Sequence, residues 1–211
     1  MYKTYIRNQT VDGISDWVWR ENENGAWDGP HREWENSHKD GYLKYCRNFD
    51  VVIQAGGNQG LYPRLFSKYF KTVYTFEPDS YNFHCLVNNC QQDNIFKIQA
   101  ALGPESKLIS ISGEPGMTNS GTITVQHQFG LVPQVTIDSF NFTAVDLIQL
   151  DIEGYEAEAL KGALQTIEKF RPVVSCERND GNLLIERGYK HVTSVGADQI
   201  YVPGEFLNEN V

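Results

Sequence analysis

The residues best equipped for chemistry in this chain stand where apolar runs stop: Gln54-Ala55-Gly56-Gly57-Asn58-Gln59-Gly60, Glu77-Pro78, Gln99-Ala100, Asp151-Ile152-Glu153 and Glu177. Glycines at such a turn let the backbone approach a ligand and let the next helix pack closely. An acidic side chain about 20 residues further on, here Glu77, suits the two hydroxyls of a ribose. Together they point to an adenosine-containing cofactor. The dinucleotide fingerprint needs glycines at i, i+2 and i+5, and counted from Gly56 those places hold Gly56, Asn58 and Leu61, which disfavours a nicotinamide oxidoreductase. At i, i+2 and i+4, the spacing of S-adenosylmethionine loops, stand Gly56, Asn58 and Gly60. No lysine-bearing phosphate loop is present. Asp151, Glu153 and Glu177 offer carboxylates able to take a proton from an acceptor.

Such residues need a scaffold, and from Asp50 onward strands alternate with helical patterns, the signature of a parallel sheet covered on both faces. Residues 50–55, 72–76, 95–102, 145–150 and 173–176 read as strands. Helices are predicted over 61–70, from Asp79 or Ser80 to Cys90, over 159–170 on the apolar spacing of Ala159, Leu160, Ala163, Leu164, Ile167 and Phe170, and over 183–189. Residues 103–140 interrupt the alternation with short strands at 108–112, 122–125 and 135–137, read as a loop and edge-strand flap. Residues 191–202 read as a closing antiparallel hairpin. In open α/β sheets ligands bind beyond the carboxyl ends of the strands, where the residues above lie.

The chain has 211 residues, the size of one domain, with 18 Lys and Arg against 27 Asp and Glu and a formal charge of −9. The basic residues are scattered singly, so nucleic acid and anionic membranes are not expected partners. No apolar stretch approaches the roughly 20 residues of a membrane span, and the first ten residues lack the apolar core of a secretory signal, so a cytoplasmic location is expected. The four cysteines have no CxxC spacing and read as reduced, buried thiols. All four tryptophans, Trp17, Trp19, Trp27 and Trp34, fall before residue 50. Residues 1–49 therefore read as an aromatic-rich arm and residues 50–211 as the cofactor-binding domain.

The ordered set Gln54–Gly60, Thr75-Phe76-Glu77-Pro78, Gln99-Ala100-Ala101-Leu102-Gly103, Val135-Thr136-Ile137-Asp138, the run from Val145 to Glu156, Leu160-Lys161-Gly162-Ala163 and Phe170-Arg171-Pro172 resembles the FkbM-type S-adenosylmethionine-dependent methyltransferases. It extends over more than half of the chain. The resemblance implies a Rossmann-like class I methyltransferase fold: a mostly parallel sheet of seven strands, in the order 3-2-1-4-5-7-6 with strand 7 antiparallel, and helices on both faces. It also implies O-methylation as the chemistry, and a place for Thr118-Asn119-Ser120-Gly121 near the adenine or the acceptor. One position departs from the pattern: the family usually has an acidic residue where Gln54 stands, helping to hold the cationic methionine end of the cofactor.

These readings assign S-adenosylmethionine as cofactor, bound by Gln54, Gly56, Gly57, Asn58, Gly60, Glu77, Pro78, Gln99, Ala100 and Asp151. Asp151 is the candidate base, with Glu153 beside it and His127 as an alternative. The acceptor is expected to be a sugar or other polyol-bearing small molecule, meeting Trp17, Trp19, His31 and Glu177, because indoles suit the apolar faces of sugar rings. No metal is assigned, although Asp151, Glu153 and Glu177 have the oxygen ligands a divalent ion would use. The rival readings are a cofactor-binding module without turnover, motivated by Gln54, and the nicotinamide oxidoreductase.

Overall fold

A computed structural model of the chain describes residues 4–7, 17–21, 23, 32–112, 119–126, 130–177 and 181–207. Two short strands, β1 (Thr4–Arg7) and β2 (Trp17–Arg20), pair antiparallel, and α1 (Arg32–Gly41) follows. The alternation begins with β3 (Val51–Ala55), α2 (Leu61–Ser67), β4 (Thr72–Phe76), α3 (Ser80–Asn89) and β5 (Ile95–Ile98). The insertion contributes β6 (Ala101–Leu102), β7 (Lys107–Ile111), β8 (Val125–Gln126) and β9 (Val132–Val135). Then come β10 (Leu147–Leu150), α4 (Glu156–Lys161), α5 (Leu164–Phe170), β11 (Val173–Cys176), α6 (Asn182–Ile185), β12 (Tyr189–Val195), β13 (Asp198–Pro203) and α7 (Gly204–Leu207). Among the described residues no helix is long and apolar enough to cross a membrane.

The main sheet has the order β5-β4-β3-β10-β11-β13-β12, and β13 runs antiparallel to both its neighbours while the other pairings are parallel. Numbered within that sheet alone, this is 3-2-1-4-5-7-6. The insertion stands apart as a small sheet, β6-β9-β7-β8, which the simple scheme lacks. Successive side chains of a strand point to opposite faces, so the apolar runs of β3, β10 and β11 serve two cores at once. Val52, Leu147 and Val173 pack with Leu65, Phe66 and Leu86 on one face. Ile53, Ile148 and Val174 pack with Ala159, Leu160 and Ile167 on the other.

On the first of these faces the last layer before the strand ends is polar. Thr75, Gln54, Gln149 and Ser175 stand side by side by register, and all four are fully buried. The Thr75 hydroxyl donates to Gln54 Oε1, and the Ser175 hydroxyl donates to Asp198 Oδ2 at 3.2 Å.

Several elements differ from the sequence reading, each for a local reason. The strand expected over 95–102 is cut after Ile98, because Ala101 and Leu102 turn away to pair with Gln134 and Val135 of the insertion. The strand expected over 135–137 lies earlier, at β9, and gives way to a 3-10 turn over Ile137–Phe140 capped by the Thr136 side chain. The helix expected over 183–189 is the single turn of α6, and Tyr189 already belongs to β12. The helix expected over 159–170 is broken between α4 and α5 at Gly162. There the chain passes against Gly103, whose carbonyl oxygen a Cβ on Gly162 would overlap. Asp138 closes the break: its amide donates to the Gly162 carbonyl, and its carboxylate accepts from the amides of Gln165 and Thr166 at the start of α5. Such a cap replaces hydrogen bonds that a helix start otherwise lacks. Gly162→Ala should therefore cost about 1–3 kcal/mol through overpacking, read as a lower urea midpoint with an unchanged slope; an unaltered midpoint would refute the tight crossing.

Candidate active site

The glycine turn after β3 is shaped by neighbouring chain as much as by any ligand. Gly56 and Gly57 donate their amides to the Phe76 carbonyl at 3.1 and 3.0 Å, and Asp151 donates its amide to the Ala55 carbonyl at 3.0 Å. Gly56 has φ +84°, and a Cβ there would overlap the Asp151 carbonyl oxygen. Only glycine allows the turns after β3 and β10 to approach so closely. Asn58 also lies in the left-handed region, at φ +44°, and so aims its amide at Glu77.

Glu77 directly follows β4 and is 4% exposed. Its Oε2 accepts from the Asn58 amide at 2.6 Å and its Oε1 from the Asp79 amide at 2.8 Å. Burial pushes this carboxyl up to about 7 even though those amides favour the charged form. A carboxylate has acceptor capacity beyond two amides, so further donors in the cavity, such as a vicinal diol, find a partner there.

Asp151 follows β10 and begins a sharp turn. Glu153 is held at φ +57° and Gly154 at φ +93°, and Glu156, fully buried, accepts from the amides of Ile152 and Gly154 at 3.1 and 3.3 Å. A non-glycine residue in the left-handed region is a strain that surrounding contacts must hold. Here the Glu156 carboxylate does so. Burial, and then the nearby charges of Asp198, Glu177, Glu153 and Glu156, push the Asp151 carboxyl up to about 7. Asp198 rises to about 6, mainly by burial. A carboxyl poised near neutrality is suited to exchanging a proton at working pH.

Two cavities open on this edge. The first, about 350 Å³, is lined by the glycine turn, Glu77, Pro78, Ala100 and parts of the insertion. The second, about 770 Å³, lies between α1 and the β12–β13 turn, with Glu177 and Asp198 in its wall. Tyr62, Asp151 and Glu153 line both. Tyr62 is the second residue of α2, and its hydroxyl lies 3.2 Å from His38 Nε2 on α1.

The structure thus brings Gly56, Gly57, Asn58, Glu77, Pro78, Ala100, Asp151 and Glu153 around one cavity, and Glu177 to the adjoining one. Gln54 is elsewhere, inside the sheet in the polar layer. Gln99 is exposed at the break between β5 and β6, and Gly60, at φ +105°, packs against Cys90 and Leu86 of α3 and its flank. Trp17 is buried beneath the Arg64 guanidinium, 5.0 Å from its ring, whereas Trp19 lines the first cavity. His31, Thr118 and His127 lie outside the described residues. Sequence reasoning missed Tyr62, His38, Glu23 and Asp198. Tyr62 had a signal, its place in the first helical turn after the glycines; the others come from segments that only folding brings near.

The family model of the methyltransferase FkbM domain matches residues 54–194, the stretch that builds both the main sheet and this edge. The chain belongs to the FkbM methyltransferase family. The matched model is that of a methyltransferase domain, and S-adenosylmethionine is the cofactor the sequence pattern leads us to expect for it. A solved FkbM methyltransferase from Methylobacillus flagellatus KT is 19% identical with a TM-score of 0.50, covering 72% of this chain and 43% of that one. This chain thus spans less than half the length of that protein, and the likeness extends to the fold. A Streptococcus mutans protein described as a methyltransferase, in complex with SAH, is 12% identical with a TM-score of 0.46, over 82% of this chain and 97% of that one. No curated protein matches the chain.

The residues of this FkbM domain fit the cofactor: a glycine turn, a buried carboxylate at the end of the second sheet strand, and a cavity between them. The oxygens of Asp151, Glu153 and Glu177 also lie within 4.8 Å of one another, donors of the type that suits a hard divalent ion, and no ion is assigned to them. The raised Asp151 carboxyl has a consequence for stability. Between its ordinary value near 3.8 and about 7, the folded protein keeps a proton that the unfolded chain has released, so stability falls as pH rises through that window. Asp151→Asn removes the charge, and should melt higher than the parent at about pH 8, by the equivalent of about 1 kcal/mol, with the gap closing toward about pH 4. A gap that does not depend on pH would contradict the buried charge.

Proposed function

We propose that this FkbM-family chain is an O-methyltransferase that moves the methyl group of S-adenosylmethionine to a hydroxyl of a sugar or similar polyol-bearing small molecule. The observation that carries the reading is the meeting of two cavities at Asp151, Glu153 and Tyr62. When bound, the cofactor supplies an electrophilic methyl carbon on a cationic sulfur. Glu77 would accept hydrogen bonds from its ribose, with Pro78, Ala100 and the turn from Gly56 to Asn58 enclosing the rest. The second cavity would hold the acceptor. Its wall of Ser37, Asp40, Lys44, Thr193 and Ser194 is rich in groups that pair with hydroxyls.

In this reading Asp151 takes the proton of the acceptor hydroxyl as it attacks, since it stands at the shared wall and ionises near neutral pH. Glu153 and Glu177 orient the acceptor and raise the basicity of Asp151 by like-charge repulsion. Holding donor and acceptor in line accounts for much of the acceleration in such displacements. The rival reading, a module without turnover, rested on the missing charge at Gln54. That side chain lies within the sheet, bonded to Thr75, and is not among the residues that line the first cavity.

Glu77→Ala should weaken SAH binding by roughly tenfold or more, as for a lost charged hydrogen-bond partner, measured by calorimetry. With the parent protein, SAH binding near pH 7 should release protons, because hydroxyl donors favour the ionised carboxyl; heats that do not vary with buffer ionisation enthalpy would count against this role of Glu77. Asp151→Asn should lower kcat by about 100-fold or more toward glycans and small polyols, with SAH affinity changed only a few-fold. Equal turnover in parent and Asp151→Asn would remove Asp151 as the base.

A further inference from the structure

The family match begins at residue 54, yet two walls of the first cavity come from the chain before it. Trp19, 5% exposed, and Glu23 line that cavity together with Asn58 and Gln59 of the glycine turn. The strand that carries Trp19 and leads to Glu23 is fastened along its length. Asn89, the last residue of α3, accepts from the Val18 amide at 2.8 Å and donates to the Val18 carbonyl at 2.9 Å. The Arg20 amide donates to Gln59 Oε1 at 3.3 Å, and its guanidinium reaches Asp79 and Asn82, each at 3.1 Å, while lying 4.5 Å from the Tyr81 ring centre. Asp79 is the residue whose amide holds Glu77. The arm is thus tied to the helix that follows the proposed ribose carboxylate.

Glu23 completes the circuit. Its carboxylate accepts from the Ser120 amide at 3.1 Å and from Gln59 Nε2 at 3.5 Å. Ser120, 2% exposed, belongs to the insertion, and its carbonyl accepts from Asn82 Nδ2 at 3.4 Å. Arm, glycine turn, α3 and insertion therefore meet in one hydrogen-bonded ring beside the cavity. Residues 23 and 120 are far apart in the chain, and Glu23 is the group that joins them.

We infer that the N-terminal arm is a wall of the cofactor site: Trp19 and Glu23 enclose bound S-adenosylmethionine or its demethylated product, and Glu23 clamps the arm to the insertion across the cavity. The inference rests on the cofactor reading above and goes beyond it, since the residues concerned lie outside the family domain. An enclosed ligand leaves only when such a wall opens, so the clamp acts mainly on the release rate. The indole supplies apolar contact area and excludes water from the site.

The test uses the full chain and SAH as probe. Hydrogen exchange of the parent protein should slow on SAH binding in peptides covering residues 17–23 and 119–126. Glu23→Ala and Arg20→Ala should each weaken SAH by roughly tenfold, mostly through faster release, while the unliganded melting temperature of Glu23→Ala stays close to that of the parent. A purely structural arm gives the opposite pattern: lower melting temperatures and unchanged SAH affinity in the folded fraction. Absent protection of the arm together with parent-like affinity in both variants overturns the inference and leaves the cofactor reading standing. A parent protein that binds no SAH overturns both.

Discussion

The amides of Gly56 and Gly57 donate to the Phe76 carbonyl, and the amide of Asp151 donates to the Ala55 carbonyl. These bonds join the ends of three adjacent parallel strands, β4, β3 and β10, in one line. Parallel strands can be connected only by crossovers, so all three end at the same edge of the sheet, and each hands over to a turn there. Three parts of the candidate site hang from that line: Glu77 one residue past β4, the glycine turn past β3, and Asp151 past β10. The close approach leaves no room for a side chain on Gly56, which is why the turn is built from glycine.

The same edge gathers carboxylates that the sheet keeps from water. Glu77 and Asp151 both titrate near neutrality, for different reasons. Glu77 is raised chiefly by burial, with a smaller push from the Asp79 charge, against amide donors that favour its charged form. Asp151 has like charges about it, and their repulsion adds to burial. A carboxyl ready to accept donors and one ready to accept a proton arise within a single edge because the partners differ. The cost is a folded state that holds uncompensated charge in its interior at neutral pH, the usual tension between stability and activity at such sites.

Local pattern carried far where the sequence is regular. The largely apolar runs of β3, β10 and β11, the β-branched and aromatic run of β4, and the glycines or acidic residues that follow them are recognisable because a buried parallel strand is largely apolar and stops where its turn begins. Reasoning from strand ends does not show where a side chain turns inward or the chain changes partner. Gln54 sits at a strand end and looks like a ligand contact; its register beside Thr75 and Gln149 places it in a polar layer instead. Gln99 looked like the end of a longer strand, but pairing of Ala101 with Gln134 ended that strand early and left Gln99 outside. The broken helix at Gly162 has uninterrupted helical spacing, and only the crossing with Gly103 divides it.

By itself the sequence determined the alternating α/β architecture, the edge at which the candidate site residues gather, and the FkbM pattern, because those are written in short-range periodicity and in the spacing of a few glycines and acids. The tertiary structure alone decided which carboxylates share a wall, that the Tyr62 hydroxyl meets His38, and that Trp19 and Glu23 line the first cavity while Trp17 lies buried away from it. Such contacts join segments tens of residues apart. They depend on how elements pack, which no local pattern of residue types encodes.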